Sequence, residues 1–244
     1  MTSLTLLAFG AAAFLLGGFV KGTIGVGLPM IVVPLLTLGT TGHKAIGLVV
    51  IPVLVSNAWQ AWETRVSSGE LRRFAPLIAT LVVATLVTLQ LTLSLPDEVI
   101  TDMIAVAVLT GVILMVWQPR FEITQRSERL WGAGVGFLSG MLGGVSSLTG
   151  PLIVTYLMAL RLPRDTFVGC ISVIYLFAAV PLYAAMLWHS RIGTVELAFS
   201  AAALAPVGLG LWLGRACRHR LGEVGFRRVL LAFLTAIAIV LLLV

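Results

Sequence analysis

Charged residues are scarce in this chain. Of its 244 residues only 11% are Asp, Glu, Lys or Arg, whereas 59% are hydrophobic. A soluble domain carries about a quarter charged residues, so this sequence lacks the means to solvate a globular surface. Apolar runs such as 77–95, 99–117 and 168–188 are long enough to cross a hydrocarbon layer of about 30 Å. The composition therefore predicts an all-α integral membrane protein.

Motifs of enzymes and cofactor sites are also missing. The two cysteines, Cys170 in an apolar run and Cys217 in a basic segment, predict no disulfide. No CxxC, HExxH or close pair of intramembrane carboxylates occurs, and the glycine-rich stretches follow apolar helices instead of strands. The sequence therefore predicts neither an enzyme nor a cofactor. Its net charge of +6 lies in short loops, so it indicates topology and not nucleic-acid binding.

What the chain does have is a glycine-rich break at 18–29, which carries Lys21 and is echoed at 136–151. Four residues of each break match at a constant offset of 118: Gly18, Phe19, Gly22 and Gly25 with Gly136, Phe137, Gly140 and Gly143. In lipid, backbone freed by such a break must be buried in protein or line a polar cavity. We therefore expect one site with two walls.

Each half of the chain contains five apolar segments, of which the second is too short to cross alone. They are 4–20, 28–38, 45–62, 74–95 and 99–117, then 130–145, 151–160, 167–188, 195–214 and 226–244. This pattern predicts a first repeat at 1–118, a cytoplasmic linker at 119–129 and a second repeat at 130–244. Further matches recur at an offset of 126: Trp62, Arg65, Glu70 and Leu71 with Trp188, Arg191, Glu196 and Leu197. The short segments are either tilted spans or re-entrant hairpins, and their length favours the re-entrant form.

Basic residues predict the orientation. If the chain starts outside, the inner loops hold fourteen Lys and Arg residues and the outer loops only Lys44 and Arg191. Basic loops stay cytoplasmic, so both termini are predicted outside a bacterial inner membrane. The acidic loop at 96–98 and its basic counterpart at 215–228 then lie on opposite sides, which makes the two repeats inverted.

The breaks are also the predicted binding elements. A helix that begins near Pro29 or Pro151 presents unpaired N–H groups and a positive dipole end, which suit an anion. The predicted substrate-binding residues lie at the breaks and on the third segment: Lys21, Gly25, Gly27, Leu28, Asn57, Gly144, Ser146, Ser147 and Thr149.

Other interpretations of these residues stay open. Glycines that recur every four residues from Gly132 to Gly144 fit close helix packing equally well. Lys21 could instead extend to the inner surface. Further polar groups at depth need partners of their own, in neighbouring helices or in a substrate: Ser56, Gln60, Ser172, Tyr175 and Tyr183.

The paired motif resembles that of the sulfite exporter TauE/SafE family of membrane transporters. The resemblance rests on the stretch from Gly18-Phe19 to Gly27-Leu28-Pro29 with Pro34, and on that from Gly136-Phe137 to Gly150-Pro151, and it covers essentially the whole chain. It implies transport of small sulfur-containing anions such as sulfite, sulfoacetate or other organosulfonates, usually outward.

Taken together, these features predict a secondary transporter that exports such anions by alternating access around a midplane site. The alternatives are a non-transporting membrane subunit and a transporter or channel for a different small anion. The predicted partners are the anion and the bilayer. A coupling ion, H⁺ or Na⁺, and the choice between monomer and homodimer are left open.

Overall fold

The computed structural model describes residues 3–117, 123–124, 127–217 and 235. The predicted tenth segment (226–244), most of the predicted linker (119–129) and both chain ends lie outside these residues. Within them the chain forms twelve helices and no strand: α1 (Ser3–Ile24), α2 (Leu28–Thr37), α3 (Gly42–Leu48), α4 (Val50–Thr64), α5 (Ser68–Arg73), α6 (Ala75–Thr92), α7 (Asp97–Trp117), α8 (Glu128–Ser146), α9 (Gly150–Ala159), α10 (Arg164–Trp188), α11 (Thr194–Ala202) and α12 (Leu204–Cys217).

Five helical stretches of the described chain are long and apolar enough to cross a membrane: Thr5–Ile24, Gly42–Thr64, Ala75–Thr92, Asp165–Trp188 and Thr194–Cys217. Their outer faces carry large apolar side chains, among them Trp62, Trp188 and Trp212, each more than half exposed. Such a surface suits contact with lipid. The prediction of an all-α multi-pass membrane protein is confirmed.

The short helices α2 and α9 have ten residues each, about 15 Å, which is half of a hydrocarbon layer. Each runs back along the long helix before it. Gly39, just after α2, lies beside Leu6 near the start of α1. Likewise, the Tyr156 hydroxyl of α9 donates a hydrogen bond of 3.2 Å to the carbonyl oxygen of Glu128, where α8 begins. We call α1, its break and α2 the first hairpin, and α8, its break and α9 the second hairpin.

The breaks follow from backbone chemistry. In the first hairpin Gly25 and Gly27 have φ angles of +95° and +109°, which only glycine adopts without strain. In the second hairpin Ser147 takes the left-handed conformation, with φ of +60°. Pro29 and Pro151 each stand in the first turn of the helix that follows, where the missing N–H costs no hydrogen bond.

The structure corrects the register expected between the breaks. The first long helices end at Ile24 and Ser146, and the short helices begin at Leu28 and Gly150, so both boundaries are 122 residues apart. The offset of 118 expected from the glycines is one helical turn less. Because glycines recur every four residues along α8, they match those of α1 in either register, and only the boundaries decide.

Glycines bring two pairs of long helices into close contact. A Cβ on Gly18 or Gly22 of α1 would lie 2.5 or 2.4 Å from a carbonyl oxygen of α12. A Cβ on Gly136, Gly140 or Gly144 of α8 would lie 2.2 to 2.6 Å from a carbonyl oxygen of α6. Backbones that approach this closely leave no room for a side chain, so these glycines serve helix packing.

The segment predicted as one span at 45–62 is divided by a break at Val49, between α3 and α4. The N–H of Ile51 donates to the Ser200 hydroxyl of α11 at 3.0 Å, and Pro52 has no N–H to donate. The serine therefore supports the backbone where the helix is interrupted.

Matching caps start α5 and α11. The Glu70 carboxylate accepts a hydrogen bond from the N–H of Ser67 at 3.2 Å, and the Glu196 carboxylate accepts one from Gly193 at 3.0 Å. In each cap the donor and the acceptor are three residues apart in the sequence. The two caps are 126 residues apart, which is the offset that the sequence shows for Glu70 and Glu196.

The core consists of two buried clusters. One surrounds α2, and the other packs α9 against α6 and the first half of α10.

Candidate functional site

Both breaks line one cavity of about 70 Å³. The first hairpin contributes Gly27 and Pro29, and the second contributes the four residues from Ser147 to Gly150. Val53 of α4 and a stretch of α10 that includes Tyr175 and Leu182 complete the wall. A cavity of this size holds a few water molecules or one small solute. The expectation of a single hollow between two breaks agrees with this geometry.

Two helix N-termini meet at this cavity. The first N–H groups of an α-helix have no acceptor within the helix, and the dipole places positive charge there. No described residue accepts a hydrogen bond from the N–H groups of Gly27, Leu28 or Gly150. Gly27 and Gly150 line the cavity at the starts of α2 and α9, so the wall can bind an oxyanion through their backbone N–H groups.

Tyr175 adds a hydroxyl to the same wall. The side chain is almost fully buried, and a Cβ on Gly150 would lie 2.8 Å from its hydroxyl oxygen. No described residue forms a hydrogen bond with this hydroxyl, although it lines the cavity. A buried hydroxyl without a protein partner is suited to a bound solute. Sequence analysis named Tyr175 only as one polar residue among several, because nothing local indicates where it faces.

Lys21 lies behind the wall. Its side chain is only 2% exposed, and its ammonium nitrogen donates a hydrogen bond to the side-chain oxygen of Asn57. Neither residue lines the cavity. Val20 and Ile24 on either side of Lys21 do line it, as does Val53, one helical turn before Asn57. Lys21 and Asn57 therefore belong to the same two helices as residues of the cavity wall, but neither is part of that wall.

The second break is tied in the same way by neutral groups. The hydroxyls of Ser147 and Tyr183 are 2.9 Å apart, and Tyr183 is 1% exposed. In both hairpins a residue near the break contacts a partner 36 residues later: Lys21, one turn before the first break, contacts α4, and Ser147, at the second break, contacts α10. Each break is thus held against the long helix that follows it.

Of the nine predicted site residues, the structure brings three to the cavity: Gly27, Ser147 and Thr149. Gly25 forms the break itself, and Leu28 is fully buried beside it. Gly144 lies elsewhere, because it packs on α6. Ser146 ends α8 at the break but does not line the cavity: its hydroxyl donates to the Leu142 carbonyl at 2.7 Å and accepts from the Leu148 N–H at 3.3 Å.

Ion pairs stand at helix ends, away from the cavity. Arg73 binds Glu128 through two hydrogen bonds, one of 2.8 Å, which join α5 to α8 and raise the pKa of the guanidinium. Arg215 binds Glu63 at 2.9 Å and joins α12 to α4. Within the described part of the chain no group of three His, Cys, Asp or Glu side chains could hold a metal ion.

Membrane-length helices, two broken hairpins and a cavity between them define a multi-pass helical membrane protein built around an internal hollow. The chain belongs to the sulfite exporter TauE/SafE family, whose model matches residues 10–241, nearly the whole sequence. This is a family of membrane transporters, so the resemblance noted in the sequence is confirmed. No curated protein and no solved structure matches the chain.

Proposed function

We propose that this protein is a secondary transporter that exports small sulfur-containing anions, such as sulfite, sulfoacetate or other organosulfonates. The cavity between the two hairpins is its binding site. One observation carries the proposal: two helix N-termini and the free Tyr175 hydroxyl converge on a single hollow inside a member of a transporter family.

In this proposal the anion's oxygens accept hydrogen bonds from the N–H groups at Gly27 and Gly150 and from the Tyr175 hydroxyl. A sulfonate or sulfite group offers three oxygens, so it can accept from several donors at once. The apolar part of the wall, with Ile24 and Leu182, suits the short carbon chain of an organosulfonate. Lys21 supplies positive charge from behind the wall.

Inverted repeats are part of the proposal. Support comes from the exchange of partners between the halves: α1 packs on α12, whereas α8 packs on α6. The boundaries of the two breaks recur at a single offset of 122, and the caps of α5 and α11 recur at 126. Two halves of opposite orientation allow alternating access by rocking of one against the other.

The proposed location is the bacterial inner membrane, with both termini outside. The support is the charge asymmetry of the sequence: with the buried Lys21 set aside, thirteen basic residues lie in the proposed inner loops and two in the outer loops. The same orientation puts the ion pairs Arg73–Glu128 and Arg215–Glu63 at the inner surface. His43 and Asp97, 2.6 Å apart, then lie at the outer surface.

Flux into liposomes tests the proposal. Purified protein should move sulfite or sulfoacetate with no other protein present. Gly150→Ala should abolish most of this flux, because its methyl group would lie 2.8 Å from the Tyr175 hydroxyl, at the α9 N-terminus. The matched control is Gly134→Ala on α8, where an added Cβ meets no atom within 4 Å.

The outcomes separate the alternatives. Wild-type protein that moves neither anion in well-sealed liposomes, while folded, would point to a non-transporting subunit. Flux of another small anion that sulfite and sulfoacetate do not inhibit would instead change the substrate class. Equal flux in the Gly150→Ala and Gly134→Ala proteins would show that the cavity is not the binding site.

A further inference from the structure

Lys21 is an unusual charge for its surroundings. It lies in a membrane-length helix, is 2% exposed, and has as its hydrogen-bond partner the neutral side-chain amide of Asn57. No carboxylate of the described residues forms an ion pair with it. An unpaired charge in such a medium costs several kcal/mol, so a lysine there either gains an anion or loses its proton.

The charged groups of the neighbouring helices do not provide Lys21 with an ion-pair partner. On α4 the nearest is Glu63, almost two turns past Asn57, and on α12 it is Arg215. These two bind each other at 2.9 Å, and both side chains are well exposed, so their charges largely cancel. The only other titratable group of α12 is Cys217, at its end, and α2 has none. Within the described parts of α1, α2, α4 and α12, Lys21 therefore has no charged partner, and an anion bound in the cavity would supply one.

The geometry accommodates both forms of the lysine. An ammonium group and a neutral amine both carry N–H bonds, so each can donate to the Asn57 oxygen. The amide does not have to rearrange when the proton leaves. An aspartate at this position would instead hold the lysine charged at all times.

We propose that Lys21 carries the proton that is coupled to anion transport, an inference that rests on the proposed function. When an anion enters the cavity, the Lys21 amine takes up one proton from water and becomes an ammonium group. When the anion leaves on the other side, the nitrogen gives that proton back to water, and no other bond forms or breaks. Anion and proton thus move in the same direction, as a neutral pair for a singly charged sulfonate.

The second hairpin serves as an internal reference. At the corresponding tie, Ser147 and Tyr183 join through two neutral hydroxyls. This pair holds the break without a charge, so a tie between break and long helix does not itself require a lysine. The charge at Lys21 needs a reason beyond packing, and proton coupling supplies one.

Calorimetry of the purified wild-type protein tests the inference, with isethionate as the probe because its sulfonate stays fully ionised. Binding heats in buffers of different ionisation enthalpy yield the number of protons taken up. We expect close to one proton per anion at the alkaline end of a range from about pH 6 to 9, and a Kd that rises up to tenfold per pH unit there.

Asn57→Asp is the decisive variant, because it keeps the shape of the side chain and should hold Lys21 protonated. Its proton uptake should fall to near zero and its Kd should become independent of pH. Tyr183→Phe, at the neutral tie, is the matched control and should keep the uptake near one proton. Thermal unfolding of each protein in detergent verifies that it is folded.

Two results would overturn the inference while leaving the proposed function intact. One is isethionate binding by the wild type with no proton uptake anywhere in that range. The other is a full proton taken up by the Asn57→Asp protein. If the folded wild type bound neither isethionate, sulfoacetate nor sulfite, the proposed function itself would fall, and this inference with it.

Discussion

The two hairpins have the same backbone plan but different side-chain chemistry. Each consists of a long helix, a break with left-handed backbone, and a ten-residue helix with proline in its first turn. One turn before the first break a lysine binds an amide on α4, and at the second break a serine binds a tyrosine on α10. The first therefore holds a charge that the second lacks.

This difference separates the features that form the cavity from the side chains that could recognise an anion in it. Glycine, proline and left-handed backbone recur in both hairpins, so they form the hollow and its helix N-termini. The charge of Lys21 lies behind the wall on the side of the first hairpin, and the free hydroxyl of Tyr175 lies in the wall on α10. Under the proposed function, charge compensation and anion recognition would be divided between these two sides.

Lys21→Met should have the largest effect. The variant removes the only positive side-chain charge within the described part of the first hairpin, and anion affinity should fall about 100-fold. Ser147→Ala, at the opposite break, should cost less than about tenfold, because it removes one neutral hydroxyl. Calorimetric titration with sulfoacetate measures both. Unchanged affinity in Lys21→Met would show that the charge does not act on the cavity.

Replacing the packing glycines should destabilise the two halves alike. A Cβ at Gly22 or Gly140 would lie 2.4 or 2.5 Å from a carbonyl oxygen of the facing helix. Alanine at either position should lower the free energy of unfolding by about 1–3 kcal/mol. Gly208→Ala and Gly134→Ala are the controls, since no atom lies within 4 Å of an added Cβ. Thermal unfolding in detergent measures these losses of stability. A marked loss for only one of the two substitutions would show that the two helix contacts are not equivalent.

The two tyrosines of α10 should respond in opposite ways. Tyr175→Phe removes the hydroxyl that has no protein partner, so affinity should fall about fivefold while stability is kept. Tyr183→Phe removes the partner of Ser147, so it should cost about 1 kcal/mol of stability with little change in affinity. Paired binding and unfolding measurements decide between these roles. Identical effects of both substitutions would contradict the assignment.

The smallest effect is expected at the caps. Glu70→Ala and Glu196→Ala each remove the carboxylate that accepts from the backbone at the start of α5 or α11. Each should cost about 0.5–1 kcal/mol of stability. Thermal unfolding of the two variants compares them directly, and a loss several times larger for one would indicate that its carboxylate has a second role.

Much of the helical plan could be predicted from the sequence because it depends on local chemistry. The scarcity of charge predicts the membrane, and Pro29 and Pro151 predict where the short helices begin. The division of α3 from α4 at Val49 was not predicted. It depends on a contact with Ser200, a residue far away in the sequence.

The site could be predicted only in part. The breaks are visible as glycine and proline, but the partners of Lys21 and Ser147 are 36 residues away, and no local pattern identifies them. Gly144 illustrates the opposite difficulty. A glycine near a break looks like a binding element, yet it packs against α6, because the same residue type serves close approach and chain reversal.

The most direct test is a structure determined from crystals grown with selenite, in which selenium replaces the sulfur of sulfite and scatters anomalously. The account predicts an anomalous peak in the cavity between the two breaks, within hydrogen-bonding reach of the Tyr175 hydroxyl and the N-terminus of α9. An empty cavity in protein that carries selenite elsewhere would contradict it.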